Sequence, residues 1–189
     1  MNESRTAQLT MTPTTVAWRA LALLAGALFV ALAAQVAIPV PGTPVPITLQ
    51  VPAVLIVGGL LGPRLGAASL AIYLAMGAAG LPMFAPVGAP GAARLFGPTG
   101  GYLLALPLAA ALVGAVLERG RSWGRLAAAM IAGLAVVHLG GVAQLAVITG
   151  DWAIAFAWGS VPFLLLDLLK LAIAGLIVRR FAPKTRALL

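Results

Sequence analysis

Six runs of apolar residues, separated by glycine, proline or clusters of basic residues, constrain this chain more than any other feature. About twenty apolar residues span a bilayer as a helix. The mean hydropathy of +1.08 and a charged fraction of 8% leave too few polar side chains for the surface of a soluble globule. The sequence therefore predicts an all-α integral membrane protein with six transmembrane helices. The runs cover residues 20–38, 50–61, 65–80, 99–117, 126–149 and 160–178.

The basic residues indicate how these helices are oriented. Cytoplasmic segments of membrane proteins are enriched in lysine and arginine, and a topology with both termini inside leaves only Arg94 outside and Lys170 within the membrane. We therefore predict one membrane domain over residues 1–189, with cytoplasmic tails at about 1–18 and 179–189. The inner basic residues are Arg5, Arg19, Arg64, Arg119, Arg121, Arg125, Arg179, Arg180, Lys184 and Arg186.

The N-terminal region also fits a secretory signal, because basic residues and an apolar run precede the cleavage-like sequence Ala31-Leu32-Ala33. We favour a first spanning helix. The run is nearly long enough to cross the bilayer, and its removal would leave five helices with one end on the wrong side.

Asp167 and Lys170 are the only acidic residue and the only lysine within an apolar, helix-length run. Burying charges in a membrane costs several kcal/mol unless they satisfy each other or a ligand. Residues three apart lie on the same helix face. Two interpretations remain open for this pair, a structural ion pair and a ligand-binding site about 10 Å below the outer end of the sixth helix.

The composition excludes several chemistries. Cysteine is absent, which excludes disulfides and thiolate catalysis. His138 is the only histidine, so we expect a neutral, hydrogen-bonded helix residue and no metal or other cofactor. Residues 97–101 (Gly-Pro-Thr-Gly-Gly) lack the Gly-Lys-Ser/Thr end of a phosphate-binding loop. The net charge of +8 lies in clusters between apolar runs, which is typical of membrane topology, so we expect no nucleic-acid partner.

Two outer segments are rich in proline or glycine. Residues 39–48 hold four prolines and predict a stiff, extended connection without regular backbone pairing. Residues 81–98 surround Arg94 and are typical either of a lid over a site or of a permissive loop. Further candidates for the site are polar, aromatic or glycine residues near the outer helix ends: Thr48, Gln50, Tyr73, Gly100, Gly101 and Tyr102.

Four segments in this order resemble the BioY family, the biotin-specific substrate-binding components of energy-coupling factor (ECF) transporters. They are PVPITLQ (44–50), IYLAMGAAGLPMFA (72–85), GPTGGY (97–102) and PFLLLDLLK (162–170), and the resemblance covers about residues 34–170. It implies a six-helix protein of the bacterial inner membrane that captures biotin from outside. It also implies a transmembrane coupling protein and two ATPase subunits as partners, although some members of the family occur without them.

The resemblance suggests roles for individual residues. Asp167 would accept from the ureido N–H groups of biotin, and Lys170 would donate to the ureido carbonyl. Leu81 and Phe84 would pack on the rings and chain, while Arg94 at the outer rim would meet the carboxylate. The opposite orientation, with the carboxylate on Lys170, also remains open.

Small residues on the first helix allow close approach of another helix in lipid. In the family such spacing is associated with docking to the coupling protein, which suggests Ala27 and Ala31, although internal packing explains the spacing equally well. Two other functions remain open. One is a component for a different vitamin, and the other is an intramembrane enzyme that uses Asp167 as an acid or base.

Overall fold

A computed structural model describes residues 13–187 as a helical bundle with one short two-stranded sheet. Its elements in chain order are α1 (Pro13–Gln35), β1 (Ala37–Ile38), β2 (Ile47–Thr48), α2 (Gln50–Ala78), α3 (Ala93–Phe96), α4 (Gly100–Glu118), α5 (Trp123–Thr149), α6 (Trp152–Gly159) and α7 (Leu164–Arg186).

Within residues 13–187, α1, α2, α4 and α5 are each long and apolar enough to cross a membrane. The pair α6 and α7, bent by 50° at a short break, provides a fifth candidate span if it counts as one. Large apolar side chains are exposed along these helices, as expected where the surrounding solvent is lipid. The structure therefore confirms the prediction of an all-α membrane protein.

The helix α2 is interrupted at Gly62, where φ is 85°. This backbone conformation is unfavourable for any residue with a side chain. Pro63 follows at the first position of the next helical stretch, where a backbone N–H would have no partner within the helix, so proline fits there. A Cβ atom built on Gly66 would lie 3.0 Å from the Gly58 Cα, although residues eight apart on a straight helix are separated by about 12 Å. The chain therefore turns back sharply between two arms, residues 50–61 and 63–78.

Glycines bring the central helices into backbone contact. A Cβ on Gly58 would lie 2.4 Å from the Ala110 carbonyl oxygen, and one on Gly101 would lie 2.1 Å from that of Gly140. The hydrophobic effect does not drive helices together in lipid, because the lipid tails are as apolar as the helix surfaces. Helices there associate through close packing of this kind. The helix α4 is thereby held between α2 and α5.

The proline-rich connection was predicted to lack regular backbone pairing, and this prediction is wrong at its ends. Ala37 pairs with Thr48, and Ile38 pairs with Ile47, in antiparallel register. The four prolines lie between the paired residues, so the residues in the ladder keep the N–H groups that pairing requires. The resulting hairpin connects α1 to α2.

The end of the chain also differs from the prediction. Residues 152–159 form α6, where the Asp151 carboxylate accepts hydrogen bonds from the N–H groups of Ala153 and Ile154. The next helix begins only at Leu164, so Asp167 lies in its first turn rather than about 10 Å below its start. Pro162 lacks the N–H that would continue α6.

The predicted tails are largely helical where the structure describes them. The helix α1 begins at Pro13 and α7 continues to Arg186. Residues 1–12 and 188–189, which belong to the predicted tails, lie outside the described residues.

Ala27 and Ala31 are buried, with 0% and 6% of their surface exposed, in the core formed by α1, α2 and α4. They therefore contribute to internal packing in this structure and do not offer a docking surface. The sequence spacing showed that α1 has a face for close packing, but not which helix occupies that face.

Candidate ligand-binding site

A cavity of about 690 Å³, part of it open to solvent, lies at the end of the bundle where α2 and α4 begin. The β1–β2 hairpin, the segment before α3 and the first turn of α7 each contribute to its wall. The lining consists of Val45, Pro46, Ile47, Thr48, Gln50, Val51, Phe84, Ala85, Arg94, Thr99, Tyr102, Leu103, Leu106, Val137, His138, Phe163, Asp167 and Lys170.

A hydrogen-bonded cluster forms the polar end of this cavity. Lys170 Nζ donates to Asp167 Oδ1 at 3.1 Å and to the Thr48 carbonyl oxygen at 3.0 Å. The Asp167 side chain is 7% exposed and that of Lys170 is 17% exposed. The first turn of a helix favours a negative charge, which further stabilises the Asp167 carboxylate. The predicted charge pair therefore exists, and it also ties α7 to the β-hairpin.

His138 completes the cluster from α5. Its Nε2 lies 3.0 Å from Asp167 Oδ2, and its Nδ1 lies 2.9 Å from Ser160 Oγ. The prediction of a hydrogen-bonded helix residue is confirmed. The enzyme alternative did not include a histidine beside Asp167, and the structure places one there. The sequence did not reveal this proximity because 29 positions separate the two residues.

The cluster keeps unused hydrogen-bonding capacity. An ionised carboxylate has about four lone-pair sites and an ammonium group has three donors. His138 and Lys170 occupy two of the sites on Asp167, and the two bonds of Lys170 leave one donor. The polar end of the cavity can therefore accept two further hydrogen bonds and donate one.

Arg94 also lines the cavity but is buried, with 6% of its surface exposed. Its Nε donates to the Ala89 carbonyl at 2.7 Å and its Nη2 to the Ala85 carbonyl at 2.9 Å. Burial lowers the pKa of Arg94, although a guanidinium remains charged at physiological pH. Arg94 is thus buried within the outer segment. It holds the outer segment together and still presents positive charge to the cavity.

Two glutamines fix the segment between α2 and α4. Gln35 Nε2 donates to the Phe84 carbonyl at 3.2 Å, and Gln144 Nε2 donates to the carbonyls of Leu95 and Gly97 at 3.0 and 2.7 Å. An irregular segment cannot pair its carbonyl oxygens with its own backbone N–H groups as a helix does, so these side chains act as the hydrogen-bond donors. The segment therefore forms a fixed wall of the cavity.

The structure brings seven of the predicted ligand-binding residues to the cavity lining, which are Thr48, Gln50, Phe84, Arg94, Tyr102, Asp167 and Lys170. Tyr102 stands beside His138 and donates to the Gly159 carbonyl at 2.6 Å. Phe84 presents its side chain to the cavity and packs edge-on against Tyr73, with 5.5 Å between ring centroids.

The other four predicted residues lie outside the lining. Tyr73 is fully buried behind Phe84, and Leu81 is 48% exposed. Gly100 and Gly101 contact backbone atoms of Leu95 and Gly140, so their lack of a side chain serves packing at the start of α4. Their positions in the sequence near helix ends did not distinguish a role in packing from one in binding.

Sequence reasoning missed several residues of the lining. Val45, Val51, Leu103, Leu106, Val137 and Phe163 give most of the cavity an apolar wall. In a chain that is 62% hydrophobic, such residues carry no distinguishing signal. His138 did carry a signal, because a polar ring in an apolar run requires a partner.

Apolar spans around a mainly apolar cavity with a charged end define a multi-pass membrane protein with a small-molecule site. A family model described as the BioY family matches residues 5–187. This chain belongs to the BioY family. The biotin transporter BioY of Thermotoga maritima is 41% identical over 143 residues, which are 76% of this chain and 84% of that protein.

Two further comparisons agree with this assignment. The biotin transporter BioY of Rhodobacter capsulatus is 36% identical over 176 residues, covering 84% of this chain and 90% of that protein. A crystal structure of the S-component for biotin from an ECF-type ABC transporter superimposes with a TM-score of 0.82 at 29% identity. That match covers 90% of this chain and 93% of the other.

Proposed function

We propose that this protein binds biotin in the cavity and takes it up as the substrate-binding component of an ECF-type transporter. Membership of the BioY family and the functions of its relatives support this function. The observation that carries it is the unused hydrogen-bonding capacity at Asp167 and Lys170. Two acceptor sites and one donor complement a cyclic urea, which has two N–H groups and one carbonyl.

The charged residues of the cavity lining support one orientation of the ligand. With the urea at Asp167 and Lys170, the apolar rings and chain of biotin would pack against Phe84, Phe163 and their apolar neighbours. The carboxylate would then point towards Arg94, whose remaining N–H groups suit an anion. The reverse orientation brings two carboxylates together at Asp167, which is unfavourable in a medium of low dielectric constant.

The family context supports the remaining parts of the proposal. We infer six spanning segments, with the two arms of α2 counted separately and α6 and α7 forming one bent span, and both termini in the cytoplasm of a bacterial cell. A transmembrane coupling protein and two ATPase subunits would supply the energy. Asp167 would bind substrate without catalysing a reaction, since the relatives are transporters.

Equilibrium binding tests this proposal directly. The purified protein, titrated calorimetrically with biotin, thiamine and riboflavin, should show saturable binding of biotin alone. Uptake of labelled biotin by cells that express this chain, compared with cells that do not, tests transport. Absence of binding, a preference for another vitamin, or chemical conversion of biotin would each overturn the proposal.

A further inference from the structure

A second hollow lies on the outside of the bundle, between α5 and α7, and the biotin site does not include it. It is a groove open to the surroundings, and its lining is almost entirely apolar. Each of its two walls consists of residues four positions apart, which lie on one face of the helix. The wall on α5 consists of Trp123, Ala127 and Ile131, and the wall on α7 consists of Leu168, Ala172 and Leu176.

The size of the side chains creates this groove. The residues at the ends of the two walls are more than half exposed; they are Trp123, Ile131, Leu168 and Leu176. Ala127 and Ala172 lie between them, and their small side chains leave a notch. Gly175 lies at the floor, where an added Cβ would be 3.3 Å from Leu126 Cδ2, so the helices already touch beneath the notch. Eight residues of helix give the groove a length of about 12 Å. This length suits part of an extended hydrocarbon chain.

One end of the groove carries positive charge. The Arg179 guanidinium lies 3.8 Å from the centre of the Trp123 ring, in a cation–π contact that holds the charge at the groove. Arg125 is also exposed near this end of α5. In the proposed topology this end faces the cytoplasm.

No carboxylate in residues 13–187 neutralises Arg179 through an ion pair. Glu118, at the end of α4, instead lies close to Arg186, since both are about 3.9 Å from the position of a Cβ on Gly62. Asp151 is at the start of α6 and Asp167 is engaged in the biotin site. As far as residues 13–187 show, the charge beside Trp123 is therefore available to an external anion.

We propose that the groove between α5 and α7 binds an anionic phospholipid, with an acyl chain between Ala127 and Ala172 and its phosphate group at Arg179. Hydrocarbon is the component of a bilayer that matches the apolar walls. A fixed guanidinium beside the groove favours a lipid with net negative charge over a zwitterionic lipid, because a nearby ammonium group weakens the attraction.

Trp123 provides a fluorescent probe inside the groove. In a variant with Trp18, Trp152 and Trp158 replaced by phenylalanine, its emission reports contact with lipids brominated on the acyl chain. The full chain is reconstituted in phosphatidylcholine bilayers that contain brominated phosphatidylglycerol or brominated phosphatidylcholine as a minor component at the same mole fraction. We expect about fivefold greater apparent enrichment of the anionic lipid at Trp123.

Two variants separate the parts of the proposal. Arg179→Gln should abolish the preference for phosphatidylglycerol, whereas Arg180→Gln, the matched control on the neighbouring arginine, should retain it. Ala127→Leu combined with Ala172→Leu fills the notch and should abolish the enrichment although Arg179 is unchanged. Biotin binding by each variant shows that it is folded.

Several results would overturn this inference. Equal quenching by the two brominated lipids would show ordinary bilayer contact, and retained preference in Arg179→Gln would place the anion elsewhere. Retained enrichment in the filled variant would show attraction of head groups to the surface without a bound chain. If neither lipid quenches Trp123, another occupant, such as a second copy of the chain, covers the groove.

Discussion

His138 Nε2 lies 3.0 Å from Asp167 Oδ2, and this contact joins α5 to α7 at the polar end of the cavity. The same carboxylate accepts from Lys170 on its other oxygen. Asp167 is thereby held from both sides. Its orientation towards a ligand is fixed by one residue on its own helix and one on α5, an arrangement that lowers the entropy lost on binding.

Asp167→Asn should weaken biotin binding about 100-fold, or roughly 2–3 kcal/mol. The amide has one oxygen instead of two, and its NH2 group would face a donor. Calorimetry measures the affinity, and thermal unfolding without ligand measures the stability. Asp151→Asn, which alters the exposed cap of α6, is the control and should bind as the wild type does. Unchanged affinity with lowered stability would instead identify a structural ion pair.

His138→Phe should reduce both the stability and the affinity for biotin. The change leaves Asp167 Oδ2 and Ser160 without their partner, and each unsatisfied buried group costs about 1–3 kcal/mol. His138→Gln keeps a donor and should recover part of the affinity. Paired measurements of thermal unfolding and biotin binding check this. Binding by His138→Phe at the level of the wild type would show that His138 does not position Asp167.

Arg94→Gln should weaken binding of biotin about tenfold more than binding of a neutral biotin amide. The loss of the bonds to Ala85 and Ala89 should lower the affinity for both ligands. Only the affinity for biotin should fall further, because its carboxylate also loses its partner. Competition binding with the two ligands separates these effects. An equal penalty for both would contradict the proposed orientation.

Gly101→Ala should lower stability by about 1–3 kcal/mol while leaving the affinity of the folded protein nearly unchanged. The added Cβ would lie 2.1 Å from the Gly140 carbonyl oxygen and would force α4 away from α5. Gly124→Ala is a matched control in α5, because no atom lies within 4 Å of its added Cβ. A large loss of affinity in a stable Gly101→Ala protein would restore Gly101 to the binding site.

The helical spans were predictable because the bilayer imposes a simple rule on the sequence. Apolar runs of sufficient length must satisfy their own backbone in lipid, and the break at Gly62-Pro63 follows from the local preferences of these two residues. The interruption before Leu164 was less evident. Pro162 indicated a break, but only the cap at Asp151 signals that a separate helix precedes it.

The sequence alone establishes that Asp167 and Lys170 need partners, since burying an unpaired charge in an apolar run is costly. The partners themselves depend on the tertiary fold. His138 and the Thr48 carbonyl reach the pair from other elements, 29 and 122 positions away from their partners. In the same way, the spacing of Ala27 and Ala31 indicated close packing without identifying the neighbouring helix. Spacing along one helix defines a face, whereas the neighbour of that face depends on how all the helices pack together.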